Sequence, residues 1–204
     1  MTTATFEFQQ LSVSPSIWLV ERFLSEQECL HLIEVVKQIL RPATVIDPFT
    51  GKSIQNEART NSFAFLKPGQ DEMVREIESR IGRLLDIPVE NGEAFQILHY
   101  EQGQQYVPHF DFFRPERPGG PQELLRGGQR VATVLLYLND TEEGGETNFP
   151  RLGLSVPPKR GNALIFYNVF DDGQPDFDTE HASLPVIKGE KWLATKWLRE
   201  RAYC

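Results

Sequence analysis

RVATVLLYL at 130–138, NALIFY at 162–167 and EKWLATKWL at 190–198 decide the fold. In each, short apolar or alternating runs take the place of a helical period. AFQILHY at 94–100, QYVPHFD at 105–111, GETNF at 145–149 and a run over 153–157 have the same character, and Pro, Gly, Asn and Asp clusters separate them all. Several short strands with regular turn signals predict an all-β sandwich or barrel from residue 94 onward. Upstream the pattern differs. Residues 1–24 alternate loosely, as strand or edge segments. Ser25 and Glu28 form an S-x-x-E capping box, and Leu30, Ile33, Val36 and Leu40 recur at helical spacing. They predict an amphipathic helix over 25–40, ended by Pro42. Val74, Ile77, Ile81 and Leu84 predict a second helix over about 70–86, stopped at Ile87-Pro88. Between the helices, 42–62 carries mixed turn and strand signals. Two helices ahead of a β block are expected to pack against one of its sheets. No repeat and no low-complexity tract appears.

Composition narrows the function. The chain has 204 residues, 40% apolar and 25% charged, as a soluble globular domain has, and one domain is expected. No apolar run approaches the ~20 residues of a membrane span. The opening MTTATFEFQQ lacks the basic-then-apolar pattern of a secretory signal. The net charge of −8 and the absence of a Lys/Arg cluster argue against nucleic acid as a partner. Cys29 and Cys204 match no metal motif, and a reduced, cytoplasmic setting is the expectation. Nothing in the sequence specifies an oligomeric state.

His109-Phe110-Asp111 is the sharpest short feature. Residues i and i+2 of a strand point to one face, so an imidazole and a carboxylate would project side by side. His181 lies at the far end of the β block. Two His and one carboxylate make the facial triad of non-heme Fe(II) oxygenases, which keeps other coordination positions open. Alone, H-x-D is also what a surface pair at a strand end looks like. Lys191 adds context: with Leu193, Thr195 and Trp197 it shares one strand face, opposite Trp192, Ala194, Lys196 and Leu198. A lysine on an inner face needs an anionic partner. A dicarboxylate held by iron at its other end would supply one; otherwise Lys191 is an edge lysine reaching solvent. The site has no thiolate and no HExxH helix, which disfavours zinc.

Residues 95–204 resemble the prolyl 4-hydroxylase branch of the Fe(II)/2-oxoglutarate dioxygenases. The matching segments are Tyr100-x-x-Gly103-x-x-Tyr106-x-x-His109-x-Asp111, RVATVLLYLND at 130–140, EGGETNFP at 143–150, KRGNALIFYN at 159–168 and HASLPVIKGEKWLATKW at 181–197. WLVERFLSEQEC at 18–29 resembles the family's helical lead-in less specifically. The resemblance implies a double-stranded β-helix, a cupin-like jelly roll over 94–204, with supporting helices and strands in 1–93. It implies Fe(II) held by His109, Asp111 and His181, with 2-oxoglutarate and O2 as cosubstrates and ascorbate as a candidate reductant. Lys191 would hold the far carboxylate of 2-oxoglutarate with help from Tyr100, and Thr195 and Trp197 would line that pocket. Arg59, Glu93, Tyr106 and Arg130 fall where the family places substrate residues. Oxidative decarboxylation to succinate and CO2 would be coupled to hydroxylation of an unactivated carbon. Related halogenating enzymes carry a small residue where Asp111 stands, so hydroxylation is favoured.

Three positions depart from the family pattern. Arg59-Thr60-Asn61 stands for R-T-S, Ser183 for the glycine two after the distal histidine, and Arg199 where some members carry histidine. The iron and cosubstrate positions are intact, and the substrate site is expected to be specialised. The substrate is then a prolyl residue of a peptide or protein, or a free amino acid or small metabolite whose carboxylate pairs with Arg130 or Arg199. From another class, a non-catalytic jelly-roll module is the remaining reading. The other features have plainer readings. His31 is a helix-face residue, His99 faces away from Tyr100, Gly144-Gly145 is a tight turn, and DDGQPDFDTE at 171–180 is a solvated loop. The longest break, 112–129, holds three prolines and four glycines beside Asp111. It is expected to be a lid.

Overall fold

In a computed structural model of the chain, residues 6–46, 53–54, 56–117 and 119–203 are described. Part of the 42–62 stretch therefore lies outside the described residues, as does Cys204. Along the chain run β1 (Glu7–Ser12), β2 (Ile17–Glu21), α1 (Glu26–Glu34), β3 (Arg41–Pro42), β4 (Val45–Ile46), β5 (Ser53–Ile54), β6 (Ser62–Phe65) and α2 (Glu72–Leu85). There follow β7 (Gln96–Tyr100), β8 (Tyr106–His109), α3 (Gly120–Leu125), β9 (Arg130–Tyr137), β10 (Glu143–Gly144) and β11 (Thr147–Phe149). Last come β12 (Leu154–Val156), β13 (Ala163–Tyr167), β14 (His181–Ser183), β15 (Val186–Lys188) and β16 (Lys191–Arg199).

Every named strand pairing is antiparallel. One sheet has the order β1-β2-β13-β9-β16-β7-β6-β3 and a smaller one the order β12-β11-β14-β8. From β7 onward the chain alternates between them: β7 in the large sheet, β8 in the small, β9 back in the large, then β11 and β12, then β13, then β14, then β16. That winding is a double-stranded β-helix, the jelly roll expected of the sequence. The large sheet is covered on both faces. The helices and the turn after α1 pack Cys29, Leu32, Val36, Val74, Ile77 and Ile81 against Val134, Leu136, Ile97 and Ala194 on one side. The small sheet's Phe149, Val156 and Val186 meet Leu135, Tyr137, Leu164 and Leu193 on the other. This is why β9 reads as an almost unbroken apolar run and not as an alternation.

The helices are set by their ends. Ser25 Oγ accepts from the Glu28 N–H at 3.3 Å while Glu28 Oε2 accepts from the Ser25 N–H at 2.7 Å, closing the expected capping box. Glu28 also pairs with Arg80 of α2, and His31 Nε2 lies 2.9 Å from Asp71 Oδ2, so both caps bind the helices to each other. The α-helix stops at Glu34, short of the expected 40. The chain goes on in turns, with Val36 N–H donating to Ile33 O and Ile39 N–H to Val36 O. The adjacent β-branched Val35 and Val36 disfavour further helix, while Val36 stays fully buried and preserves the apolar period. α2 runs from its N-cap Asp71 to a left-handed Asp86. The strands β10, β14 and β15 were not foreseen: at two or three residues they are too short to carry a periodic signal.

Candidate metal and cosubstrate site

Strands β8 and β14 are neighbours in the small sheet, in a register that sets His181 opposite His109. Asp111 follows just past the end of β8. The ligand atoms of His109, Asp111 and His181 all lie within 4.8 Å of one another. Two backbone carbonyls orient the rings. His109 Nδ1 lies 2.9 Å from Val107 O, and His181 Nδ1 3.0 Å from Thr179 O. Each Nδ1–H thus donates to a carbonyl, and each Nε2 lone pair is left facing the carboxylate. Burial, with His181 beside it, pushes the His109 imidazolium down to about 3, so the ring is neutral and its lone pair available. Burial drives Asp111 upward, but the two histidines, Arg130 and the Thr133 hydroxyl outweigh it and hold the carboxyl below its ordinary range. Thr133 Oγ1 donates to Asp111 Oδ2 at 2.8 Å and itself accepts from Asn168 Nδ2 at 2.9 Å. One carboxylate oxygen is therefore occupied by the protein and the other is left for a cation.

A cavity of about 260 Å³ opens beside these groups, and all eleven residues singled out from the sequence line it. Register explains its far end. Lys191 pairs with Tyr100 across β16 and β7, and Lys191, Leu193, Thr195 and Trp197 turn to the cavity while Trp192, Ala194 and Leu198 join the helix-side core. The Lys191 side chain is fully buried. Its Nζ donates to Ser183 Oγ at 2.8 Å and sits 5.3 Å from the Tyr100 ring. Among the described residues no carboxylate pairs with it. Burial, offset only by the more distant Glu146, pushes its ammonium down to about 7. Among the described residues, the buried Trp197 indole N–H has no acceptor. An ammonium without a counter-charge and an indole N–H without an acceptor, inside one cavity, fit an anion better than packed hydrocarbon.

The remaining residues form the cavity rim. Arg59 stacks over Tyr106 at 4.7 Å, and Tyr106 stacks on the His109 ring with centroids 3.6 Å apart. Arg59 donates to the Asn61 and Gln96 amides, so Asn61, in place of serine, serves as its acceptor. Glu93 receives Arg130 through both oxygens, at 2.6 and 2.9 Å, and Arg199 Nε lies 3.4 Å from it. Arg199 is not on the rim. It is buried behind Glu93, and its Nη2 donates to the carbonyls of Glu123 and Arg126 around α3.

Sequence reading missed Thr133, Asn168 and this Arg199–Glu93–Arg130 cluster, which join residues 35, 106 and 37 positions apart. The polar Thr133 inside the apolar run 130–138 was the available signal. The plainer readings of His31 and His99 hold, His99 stacking on Trp192 at 4.1 Å. Gly144 and Gly145, both at positive φ, do not form the expected tight turn: Gly144 ends β10, where the register with β15 shifts, and Gly145 follows it. The stretch 171–180 is less solvated than expected: Asp176 and Thr179 are buried and Phe177 packs on Phe110 and Phe112. The break 112–129 contains α3, and Gln129 closes its base by exchanging hydrogen bonds with the Phe113 backbone at 2.7 and 2.8 Å.

A jelly roll carrying two imidazoles and one carboxylate, open on one side to a cavity that ends in a buried ammonium, is the framework of a ferrous oxygenase with a keto diacid cosubstrate. Residues 95–199 match the 2OG-Fe(II) oxygenase superfamily. The chain is 44% identical over 212 residues to probable prolyl 4-hydroxylase 10 of Arabidopsis thaliana, covering 95% of this chain and 72% of that one. To prolyl 4-hydroxylase 5 of the same plant it is 42% identical over 206 residues, covering 92% and 69%. It also superposes on the 2OG complex of viral collagen prolyl hydroxylase from Paramecium Bursaria Chlorella virus-1, with TM-score 0.70, 29% identity and coverage of 90% and 95%. The chain belongs to the prolyl 4-hydroxylase-like branch of the 2OG-Fe(II) oxygenase superfamily. It is a 2-oxoglutarate-dependent dioxygenase that uses Fe(II), 2-oxoglutarate and O2.

Proposed function

We propose that this enzyme hydroxylates prolyl residues of a peptide or protein, with Fe(II) held by His109, Asp111 and His181. In this reading Lys191 and Tyr100 grip the far carboxylate of 2-oxoglutarate, and Thr195 and Trp197 line its bed. When bound, iron and 2-oxoglutarate supply with O2 the oxidant that replaces C–H by C–OH, releasing succinate and CO2. The protein's own work is positional. Val107 and Thr179 carbonyls fix the two ring tautomers, Thr133 restrains one oxygen of Asp111, and the buried walls keep water away. One observation carries the cosubstrate assignment: a fully buried lysine that has no carboxylate partner among the described residues, in the same cavity as the triad.

The peptide substrate is supported by the relatives' names and by the rim. A small metabolite with a free carboxylate would need Arg130 or Arg199; Glu93 already holds Arg130 through both of its oxygens, and Arg199 is buried behind Glu93, off the rim. Arg59, Tyr106, Glu93 and Arg130 then line the substrate's approach to iron. The segment 112–129 is the proposed lid, hinged at Gln129 and Arg199. Limited proteolysis within it should slow when iron, cosubstrate and peptide are added together; unchanged cleavage removes the lid. The deciding experiment mixes enzyme, Fe(II) and 2-oxoglutarate anaerobically, admits air, and screens peptide and amino-acid pools by mass spectrometry. A proline-containing peptide should gain one oxygen. Oxygen gained only by a free amino acid or metabolite would overturn the peptide reading.

A further inference from the structure

At the far end of the cavity, one polar group is still without a role. Ser183 ends β14, two residues beyond His181, where the register with β8 shifts. It is buried, it lines the cavity, and its Oγ is 2.8 Å from Lys191 Nζ. The same hydroxyl is the polar neighbour of the Tyr100 phenol. An ammonium can only donate, so the Ser183 oxygen is the acceptor and its hydrogen is left over. Ser183 and Tyr100 share one hydrogen bond, so one O–H of the pair stays free beside the two remaining N–H groups of Lys191. Three donors are left, and no carboxylate of the described chain pairs with Lys191 to receive them. A carboxylate offers about four acceptor sites.

We propose that Ser183 is a cosubstrate-binding residue, completing with Lys191 and Tyr100 a three-donor cradle for the far carboxylate of 2-oxoglutarate. The inference rests on the reading of the cavity given above. A glycine at this position would supply no such donor and would leave Lys191 without its anchor.

The test is calorimetric titration of the anaerobic, Mn(II)-loaded enzyme with 2-oxoglutarate and with 2-oxovalerate, a keto acid of equal length ending in a methyl group. Ser183→Ala should weaken 2-oxoglutarate about tenfold, the loss expected for one hydrogen bond to a charged group, and leave 2-oxovalerate unchanged. Ser183→Gly should repeat that pattern, and unchanged Mn(II) affinity in both variants reports an intact fold. Unaltered 2-oxoglutarate binding, or equal weakening of both ligands, overturns the proposal. Lys191→Ala separates the two levels. If it loses affinity while Ser183→Ala does not, only the serine assignment falls. If it too binds 2-oxoglutarate normally, the reading of the cavity falls with it.

Discussion

Thr133→Val removes one hydroxyl and keeps the side chain's shape, which isolates the bond that restrains Asp111. Asp111 is 5% exposed and Thr133 fully buried, so water cannot replace the lost donor. A hydrogen bond to a charged group contributes about 1.5–3 kcal/mol. Asn168 Nδ2, which donates to Thr133 Oγ1, loses its acceptor as well; an orphaned buried donor costs about 1 kcal/mol or more. The metal-free protein should therefore lose about 2–4 kcal/mol, or about 5–15 °C in Tm for a chain of this size. Because a carboxylate free to rotate is a poorer ligand, Mn(II) affinity should fall about 10- to 100-fold, as for other partners of metal ligands. Thr133 is also one of the groups holding the Asp111 carboxyl down. A depressed carboxyl loses its metal-binding form as pH falls through its folded value. With that support gone, the acid loss of metal should begin at higher pH in the variant. Thermal melts in chelator and Mn(II) titrations between pH 5 and 8 measure all three effects. Unchanged melting and unchanged metal affinity would refute the claim that Thr133 restrains Asp111.

Four further perturbations address other parts of the molecule. His109→Ala or Asp111→Ala should abolish succinate release and Mn(II) binding together; turnover retained in both would remove the metal assignment. Lys191→Ala should raise the 2-oxoglutarate requirement with iron affinity nearly normal, read from KM and a separate metal titration. Because burial lowers the Lys191 ammonium to about 7 in the ligand-free protein, and only the charged form attracts a dianion, 2-oxoglutarate affinity should fall above about pH 7, by up to tenfold per pH unit; a flat profile from pH 6 to 9 contradicts this. Lys196 is buried on the opposite face of β16, 2.7 Å from Glu78 Oε1 of α2. Glu78→Gln should destabilise the protein by about 3–5 kcal/mol by stranding that ammonium, while specific activity of the folded fraction is kept; a denaturant midpoint equal to wild type would contradict it.

Much of this was legible without coordinates. Apolar runs marked β7, β9, β13 and β16 because strand side chains alternate and buried strands are uniformly apolar. The i, i+2 spacing marked His109 and Asp111 as a pair, although β8 ends at His109 and Asp111 reaches the site from the bend beyond it. Helix α1 was overextended because Val36 keeps the apolar period after helical hydrogen bonding has ended. Lys196 shared a face with Trp192 and Ala194, and Glu78 lay beside Ile77 on the buried stripe of α2. Each was visible as a charge among apolar neighbours, but their pairing joins residues 118 apart.

Periodicity and turn chemistry predict a β sandwich or barrel behind two helices, and motif spacing picks out His109, Asp111, His181 and Lys191 as candidates, since each depends on neighbours a few residues away in the chain. Strand register settles the rest. It sets His181 opposite His109, aligns Lys191 with Tyr100 and brings Thr133 to Asp111. It also ties up Arg130 and Arg199 on one glutamate. These contacts depend on how two twisted sheets close on each other, and a single strand carries no record of the distant partner it will face.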